Sequence, residues 1–340
     1  MNFDWQTLWF ILVGVLFSGY AILDGFDLGV GALHLFVKTD RERRLFLNAI
    51  GPIWDGNEVW LVTGGGALFA AFPEAYATVF SGFYLAFMLL LVSLIFRGVA
   101  IEFRSKQPMK WWRDLWDISF SVSSIASAFL IGVALGNIAW GIPLSADHEY
   151  AGTFLSLLRT YPLLLGVTTV ALFMMHGSIY IVLKTEGPLQ KKLKGWVKNT
   201  MIFFILCYVL ATMATLLYVP HMLKTLQQYP PLFIVPVLSL LSIANIPRNV
   251  SQGRGLGAFL SSGAALITLM ALFGIGMYPA MVYSNPAPEN SLTIYNTASS
   301  LKTLRIMTVI AAIGMPLVLS YTASIYWIFR GKVKLDPHSY

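Results

Sequence analysis

The sequence predicts an all-α integral membrane protein with about nine transmembrane helices, and three observations lead to this fold class. Hydrophobic residues make up 57% of the 340 residues, charged residues only 11%, and the mean hydropathy is +0.69; soluble globular proteins do not have this composition. Long stretches lack Asp, Glu, Lys and Arg altogether, and a helix needs roughly 20 mainly apolar residues to cross a hydrocarbon core of about 30 Å. Finally, the basic residues fall almost entirely into alternate connections between these stretches.

Nine segments are predicted along the chain, within a single polytopic domain over residues 1–340. The first two continue an apolar pattern through acidic residues, and the other seven follow uncharged stretches. Their predicted bounds are 8–36, 45–72, 75–97, 117–140, 160–184, 199–219, 229–247, 256–279 and 306–329.

Orientation follows from the distribution of Lys and Arg, because short loops rich in these residues stay in the cytoplasm. Of the 23 basic residues, only Arg159, Lys224, Lys302 and Arg305 lie in the connections of one side. This predicts that the N-terminus is outside and the C-terminus cytoplasmic. Basic inner loops beside anionic lipid also explain the net charge of +7, so no nucleic-acid partner is predicted.

The sequence also contains a weak internal similarity. The first and fifth helices each lead into a basic inner loop with an acidic residue, KTDRERR and KTEGPLQKKLK. We interpret this as two four-helix bundles plus one peripheral helix.

Four carboxyl groups are the candidate functional residues, because an ionisable side chain within a membrane costs at least a few kcal/mol. Asp24 and Asp27 lie in DGFDLGVG, and Asp55 and Glu58 lie in WDGNEVW. Residues three apart share a helix face. Counted from the basic residues at the inner ends of both helices, Asp27 and Asp55 lie at one depth, about 16 Å along an ideal helix, and Asp24 and Glu58 at another, about 21 Å. If the two helices pack together, these carboxyls are predicted to cluster near mid-membrane.

Two interpretations of the cluster remain open from the residues alone. Carboxyls that desolvation and mutual repulsion keep partly protonated can accept and release protons. Alternatively, Gly51, Pro52 and Gly56 keep the start of the second segment irregular and water-exposed, so that the acids pair with the basic loop or with backbone N–H groups at a helix start.

No metal, cofactor or nucleotide site is predicted in this chain. Cys207 is the only cysteine, so no disulfide or cysteine metal site is available. His34 and His176 are the only histidines in or near helices, and a hydrogen-bonded structural role is the simpler interpretation for both than haem ligation. The run from Gly64 to Gly66 lies in apolar helix without a following GK[ST], and therefore is not a phosphate loop.

These segments resemble a known family. DGFDLGVG, WDGNEVWLVTGGGALFAAFP, FSGFYLAFMLLLVSLIFRGVAIEFRSK and SLTIYNTASSLKTLRIM are similar, in order and spacing, to subunit II of cytochrome bd-type quinol oxidases. The resemblance extends from about Leu8 to the C-terminus. Its most specific parts are the DGFD and WDGN motifs.

The resemblance implies a haem-free subunit of a terminal respiratory oxidase that oxidises quinol and reduces oxygen to water. It implies a heterodimer with the haem-bearing subunit I, which holds two b-type haems and one d-type haem, in a bacterial cytoplasmic membrane; a small third subunit remains open. No catalytic residue is expected in this chain. Asp55 matches the aspartate associated with a proton path and Trp54 its aromatic neighbour, while Asp24 and Asp27 match the DGFD acids. Glu58 stands where some members have Gln, so the resemblance does not require an acid there.

Two other functions are compatible with the same carboxyls. A proton-coupled secondary transporter would use the cluster to bind substrate and would act as a single chain. A purely scaffolding subunit would have no proton role.

Overall fold

The computed structural model describes residues 3–335, and long helices dominate it. Two short strands, β1 (Ala280–Val282) and β2 (Leu292–Thr293), pair antiparallel in the connection before the last helix. The helices are α1 (Trp5–Leu33), α2 (Asp40–Ile50), α3 (Trp54–Ala71), α4 (Pro73–Gly82), α5 (Tyr84–Phe103), α6 (Lys110–Trp140), α7 (Thr160–Lys184), α8 (Gly187–Tyr218), α9 (Lys224–Gln228), α10 (Ile234–Ser251), α11 (Gly255–Met277) and α12 (Leu301–Ile328).

The all-α membrane fold is confirmed. Among the described residues, eight helices are long and apolar enough to cross a membrane: α1, α5, α6, α7, α8, α10, α11 and α12. The helix α3 is the remaining predicted segment. Its 18 residues span about 27 Å, but Asp55 and Glu58 lower its hydropathy.

The transmembrane helices form two units with the same internal arrangement. In the first unit α1 packs on α3 and α6, and α5 packs on α6; in the second, α7 packs on α8 and α11, and α10 packs on α11. The contacts between the units match as well, since α6 packs on α7 and α11 packs on α1. The helix α12 lies outside both units, and its most apolar window is not buried within the chain. This arrangement is the predicted pair of four-helix bundles with one peripheral helix.

Two predicted segments are each divided between two helices in the structure. Segment 45–72 is divided into α2 and α3 by turns at residues 51–53, where Pro52 cannot continue the hydrogen bonding of a helix. Segment 75–97 is replaced by α4, which begins at Pro73, and by α5, which continues past Arg97 to Phe103. Arg97 therefore lies within a membrane helix. The predicted orientation had counted it among the basic residues of a cytoplasmic loop.

The helix α2 lies outside the candidate membrane spans and is amphipathic. Thr39 and Glu42 form a capping box at its start, and Phe46, Leu47 and Ile50 are buried on its inner face. Lys192 of α8 contacts Glu42 with an Nζ–Oε1 distance of 3.1 Å. Partial burial would raise the pKa of Glu42, but hydrogen bonds from Lys192 and the Thr39 backbone hold that pKa below its usual value. The contact joins α2 to α8 of the second unit.

The backbones of the two units lie very close together where α1 crosses α7. A Cβ atom added at Gly29 would lie 1.8 Å from the Phe173 carbonyl oxygen and 3.1 Å from the Gly177 Cα atom. Small residues allow helix backbones to approach this closely in a membrane. A side chain at Gly29 would therefore force the two helices apart.

We expect Gly29→Ala to destabilise the protein by at least about 1–3 kcal/mol, the usual cost of overpacking a core. Gly14→Ala is the matched control, since it lies on the same helix and its added Cβ would meet no atom within 4 Å. Thermal unfolding of the purified full-length protein measures both. Equal unfolding midpoints for the two variants would contradict the close helix crossing.

Candidate functional site

A buried ion pair between Asp24 and Arg97 lies at the centre of the first unit. Both side chains are fully buried. Arg97 Nη1 donates to Asp24 Oδ2 at 2.8 Å, and Arg97 Nη2 donates to Asp24 Oδ1, so the contact is bidentate. Such bidentate pairs combine charge with fixed geometry, which lets α1 and α5 carry charges inside the membrane.

Glu58 lies beside this pair. Its Oε2 atom is 3.9 Å from Arg97 Nη1, and its side chain is 21% exposed. The guanidinium group therefore faces two carboxyls. Its contact with the buried Asp24 carboxyl is bidentate, and its contact with the partly exposed Glu58 carboxyl is longer. Glu58 connects the buried pair to the outer face of α3.

Asp27 lies one turn along α1 from Asp24 and belongs to a second contact set. Asn57 Nδ2 donates to Asp27 Oδ2 at 2.7 Å, and the Tyr326 hydroxyl of α12 donates to Asn57 Oδ1 at 2.9 Å. Asp27 Oδ1 and Arg97 Nε are buried and have no hydrogen-bond partner among the described residues. Buried polar atoms of this kind are normally satisfied by ordered water.

Asp55 does not join the cluster. It lies in the first turn of α3, where a negative charge interacts favourably with the helix dipole, and its side chain is exposed on the surface of the chain. Trp54 precedes it and packs at Gly98, where its ring lies 3.1 Å from the position of an added Cβ. The structure thus brings together Asp24, Asp27 and Glu58 and leaves Asp55 on the adjoining face.

The surface of the chain around Asp55 is mainly apolar. Val59 and Val62 on α3 and Phe96 on α5 each have at least half of their surface exposed. An ionised carboxyl on such a face would be costly against lipid. A protein surface with polar groups of its own is the chemically suitable neighbour for Asp55.

Sequence reasoning missed Arg97 and Asn57. Arg97 ended the predicted third helix because that helix was defined by its lack of charge. The signal that was present is the spacing from Arg97 to Arg104, about two helical turns in a stretch whose only other charged residue is Glu102, which allows one helix to carry both arginines. Asn57 carries no charge, and only the packing of α1 against α3 reveals its bond to Asp27.

A second buried network lies nearer the end of the first unit that adjoins the basic connections, and it was also missed. Asp117 of α6 is fully buried and accepts hydrogen bonds from Arg104 Nε at 2.6 Å, Arg43 Nη1 at 2.8 Å and His34 Nε2 at 2.5 Å. Arg104 also donates to Asp40 at 2.8 Å. This network links α1, α2, α5 and α6 near one end of the first unit and holds His34 through its Nε2 atom. His34 Nδ1 is buried and has no hydrogen-bond partner among the described residues.

His176 of α7 is fully buried, and its ring is held by the protein. Its Nε2 atom donates to the Ile22 carbonyl at 3.0 Å, and its Nδ1 atom lies 2.7 Å from Ser262 Oγ. The Phe259 ring stacks on it at 4.9 Å. Because these contacts occupy both ring nitrogens, His176 does not fit the role of an axial haem ligand. Within the described residues, no group of three or more His, Cys, Asp or Glu side chains is arranged for a metal ion.

Comparison with known proteins agrees with this architecture. The family model of cytochrome bd terminal oxidase subunit II matches residues 5–329. The chain is 35% identical over 359 residues to cytochrome bd-I ubiquinol oxidase subunit 2 of Escherichia coli strain K12, covering 96% of this chain and 95% of the relative. It is 35% identical over 339 residues to cytochrome bd ubiquinol oxidase subunit 2 of Bacillus subtilis strain 168, covering 98% and 99%.

The fold is shared with a solved structure, a bd oxidase from Geobacillus thermodenitrificans. The TM-score is 0.79 at 15% sequence identity, and the match covers 96% of this chain and 98% of the other. At that identity the match concerns the fold, whereas the family model and the two relatives concern the sequence. The chain belongs to the cytochrome bd terminal oxidase subunit II family.

Proposed function

We propose that this chain is the haem-free second subunit of a respiratory quinol:oxygen oxidoreductase, in a heterodimer whose partner holds two b-type haems and one d-type haem. The haems supply electron transfer and oxygen binding in the partner. This chain supports the partner and delivers protons to it, in the cytoplasmic membrane of a bacterium.

One observation carries the proposal: a carboxyl-bearing face on the outside of the first unit, backed by a buried charge cluster. Asp55 is exposed among apolar side chains, and Glu58, partly exposed, lies one turn further along α3. We infer that the partner subunit covers this face. Covering it removes the cost of presenting Asp55 to lipid and places two carboxyls at the subunit boundary.

The chemistry required is proton delivery, because reduction of oxygen to water consumes one proton for each electron. In this proposal Asp55 exchanges protons with the partner across the boundary, and Glu58 is the second exchangeable carboxyl. Trp54, packed at Gly98, fixes the start of α3 and so the position of Asp55. Carboxyls in hydrogen-bond reach of a donor or of a bridging water are suited to such transfer.

The two aspartates of α1 have different roles in this scheme. Arg97 holds Asp24 through a bidentate contact, and the two residues form a fixed ion pair. Asp27 uses one oxygen to bind Asn57, and its other oxygen has no hydrogen-bond partner among residues 3–335, which suits that oxygen to binding water. We assign Asp27 to the inner part of the path.

The assignment as an oxidase subunit predicts copurification. The affinity-tagged full-length chain, expressed with its native operon, should bring down a haem protein with quinol-dependent oxygen consumption. Expressed without that partner, the same chain should show no haem absorbance. Stoichiometric haem in the lone chain would contradict the proposal, and proton-coupled substrate uptake by the lone chain would favour the transporter.

A further inference from the structure

The hairpin of α10 and α11 carries a groove on the membrane-facing side of the second unit, far from the acidic cluster. Its volume is about 720 Å³. Its apolar wall includes Leu238, Leu241 and Leu260, and the last two have 60% and 62% of their surface exposed. A groove between two spanning helices at this position opens toward lipid.

The groove has a polar end, near the turn that joins the two helices. Asn245 Nδ2 donates to Ser261 Oγ at 2.9 Å, and Ser261 Oγ in turn donates to the Gly257 carbonyl at 2.7 Å. These groups are therefore engaged within the hairpin. Arg248, in the last turn of α10, lines the same end. The guanidinium of Arg248 forms no salt bridge with any residue between 3 and 335.

The charged side chains around the polar end of the groove are all positive. Residues 187–288, which include the whole of α8 through α11, contain neither Asp nor Glu. Arg254 and the lysines of α8 carry only positive charge on the same cytoplasmic side. Arg248 thus lacks an acidic partner on its own hairpin, and its free donors fit an anion.

The groove's length fits one leaflet. Arg248 and Leu238 are ten residues apart on α10, so they are separated by about 15 Å along the helix axis. That distance equals half of a hydrocarbon core of about 30 Å. A ligand with its charged end at Arg248 would lay its apolar chain against Leu241 and Leu238 as far as the bilayer centre.

We propose that this groove is a binding site for one anionic phospholipid of the cytoplasmic leaflet, with its phosphate at Arg248 and one acyl chain between α10 and α11. A quinone has the apolar tail but no charge, and therefore would leave Arg248 without a partner. The site does not depend on the proton path, because it lies on the opposite four-helix unit.

The test uses the complete oxidase, purified in detergent, delipidated and titrated with phosphatidylglycerol or phosphatidylcholine while native mass spectrometry counts bound lipid. The wild type should retain phosphatidylglycerol in preference to phosphatidylcholine. A basic residue near a membrane surface contributes about 1 kcal/mol toward an anionic lipid, so Arg248→Gln should weaken retention of phosphatidylglycerol about fivefold.

Arg254→Gln is the matched control, since Arg254 is exposed on the same surface but does not line the groove; it should retain the wild-type preference. Ala264→Phe, which places a ring inside the groove, should reduce binding of both lipids. Equal loss in Arg248→Gln and Arg254→Gln would mean general surface attraction and would overturn the proposal.

Two further outcomes identify other occupants and would also overturn it. Inorganic phosphate that binds the wild type without any preference for phosphatidylglycerol would identify a site for a free anion. A copurifying quinone that is lost in Asn245→Ala but kept in Arg248→Gln would identify a quinone site.

Discussion

Asp55→Asn is expected to lower quinol-dependent oxygen consumption by about 10²-fold or more, the size of effect seen when a positioned proton-transfer group is removed. The amide keeps the size and polarity of the side chain, but it cannot take up and release a proton. Because Asp55 is exposed on the surface of this chain, the substitution leaves the packing of α1, α3 and α5 unchanged. Oxygen uptake with a reduced quinol, per assembled haem complex, measures the effect.

Two variants make this result specific. Asp55→Glu keeps a titratable group at the same position and should restore a large part of the activity. Asp147→Asn removes an exposed carboxyl of an outer loop, far from the α3 face, and should behave as the wild type. The haem spectrum of each preparation reports whether the complex has assembled.

A scaffolding subunit would give a different pattern. If Asp55→Asn assembles with a normal spectrum and consumes oxygen at the wild-type rate, Asp55 carries no proton and that part of the proposal is wrong. If the variant fails to assemble while Asp55→Glu assembles, the carboxyl acts in subunit contact. Activity per haem separates the two roles.

The sequence predicted the relative depths of residues on α1 and α3 well, on the condition that the two helices pack together, because basic residues mark one end of both segments. The depth estimate set Asp27 level with Asp55 and Asp24 level with Glu58. In the structure the residue of α3 that bonds to Asp27 is Asn57. It lies two residues beyond Asp55, which the depth estimate had placed level with Asp27. The break at residues 51–53 changes the path of the chain before Trp54 without displacing α3 by more than a turn.

The electrostatic partners could not be predicted in the same way. Helices defined as uncharged stretches cannot contain their own charges, so Arg97 and Asp117 were assigned to helix ends or loops. Asp24 and Arg97 are separated by 73 positions, and Asp117 and Arg43 by 74. Neither spacing has a local periodicity that would reveal it. Such pairs depend on which helices pack together, and this is decided by the small residues at their crossings.

Exposure was the other property that the sequence could not supply. Asp55 and Glu58 lie three residues apart, a spacing that indicates a shared helix face. The structure separates them nonetheless: Glu58 reaches the Arg97 guanidinium, whereas Asp55 remains outside. The difference arises because α3 packs on α1, which brings Glu58 beside the Asp24–Arg97 pair and leaves Asp55 on the open side of α3.

Arg97→Gln is expected to destabilise the protein by about 3–5 kcal/mol, the usual cost of removing one partner from a buried ion pair. Asp24 would stay fully buried but would lose the bidentate contact with Arg97 that compensates its charge. The thermal unfolding midpoint of the assembled complex and its yield both measure the loss. Arg41→Gln, an exposed basic residue on α2, serves as the matched control and should change neither.

The double variant Arg97→Gln with Asp24→Asn gives the sharper test. It removes both charges at once, so that neither is left uncompensated in the membrane, and uncharged side chains of similar size can hydrogen-bond to each other. We therefore expect it to recover most of the stability lost in Arg97→Gln, with a coupling free energy at the upper end of the 0.5–3 kcal/mol that is typical of contacting residues, about 3 kcal/mol. A double variant no more stable than Arg97→Gln would mean that Arg97 stabilises the fold mainly through Glu58 or through its packing, and the Asp24 pair would lose its role as the charge anchor of the site.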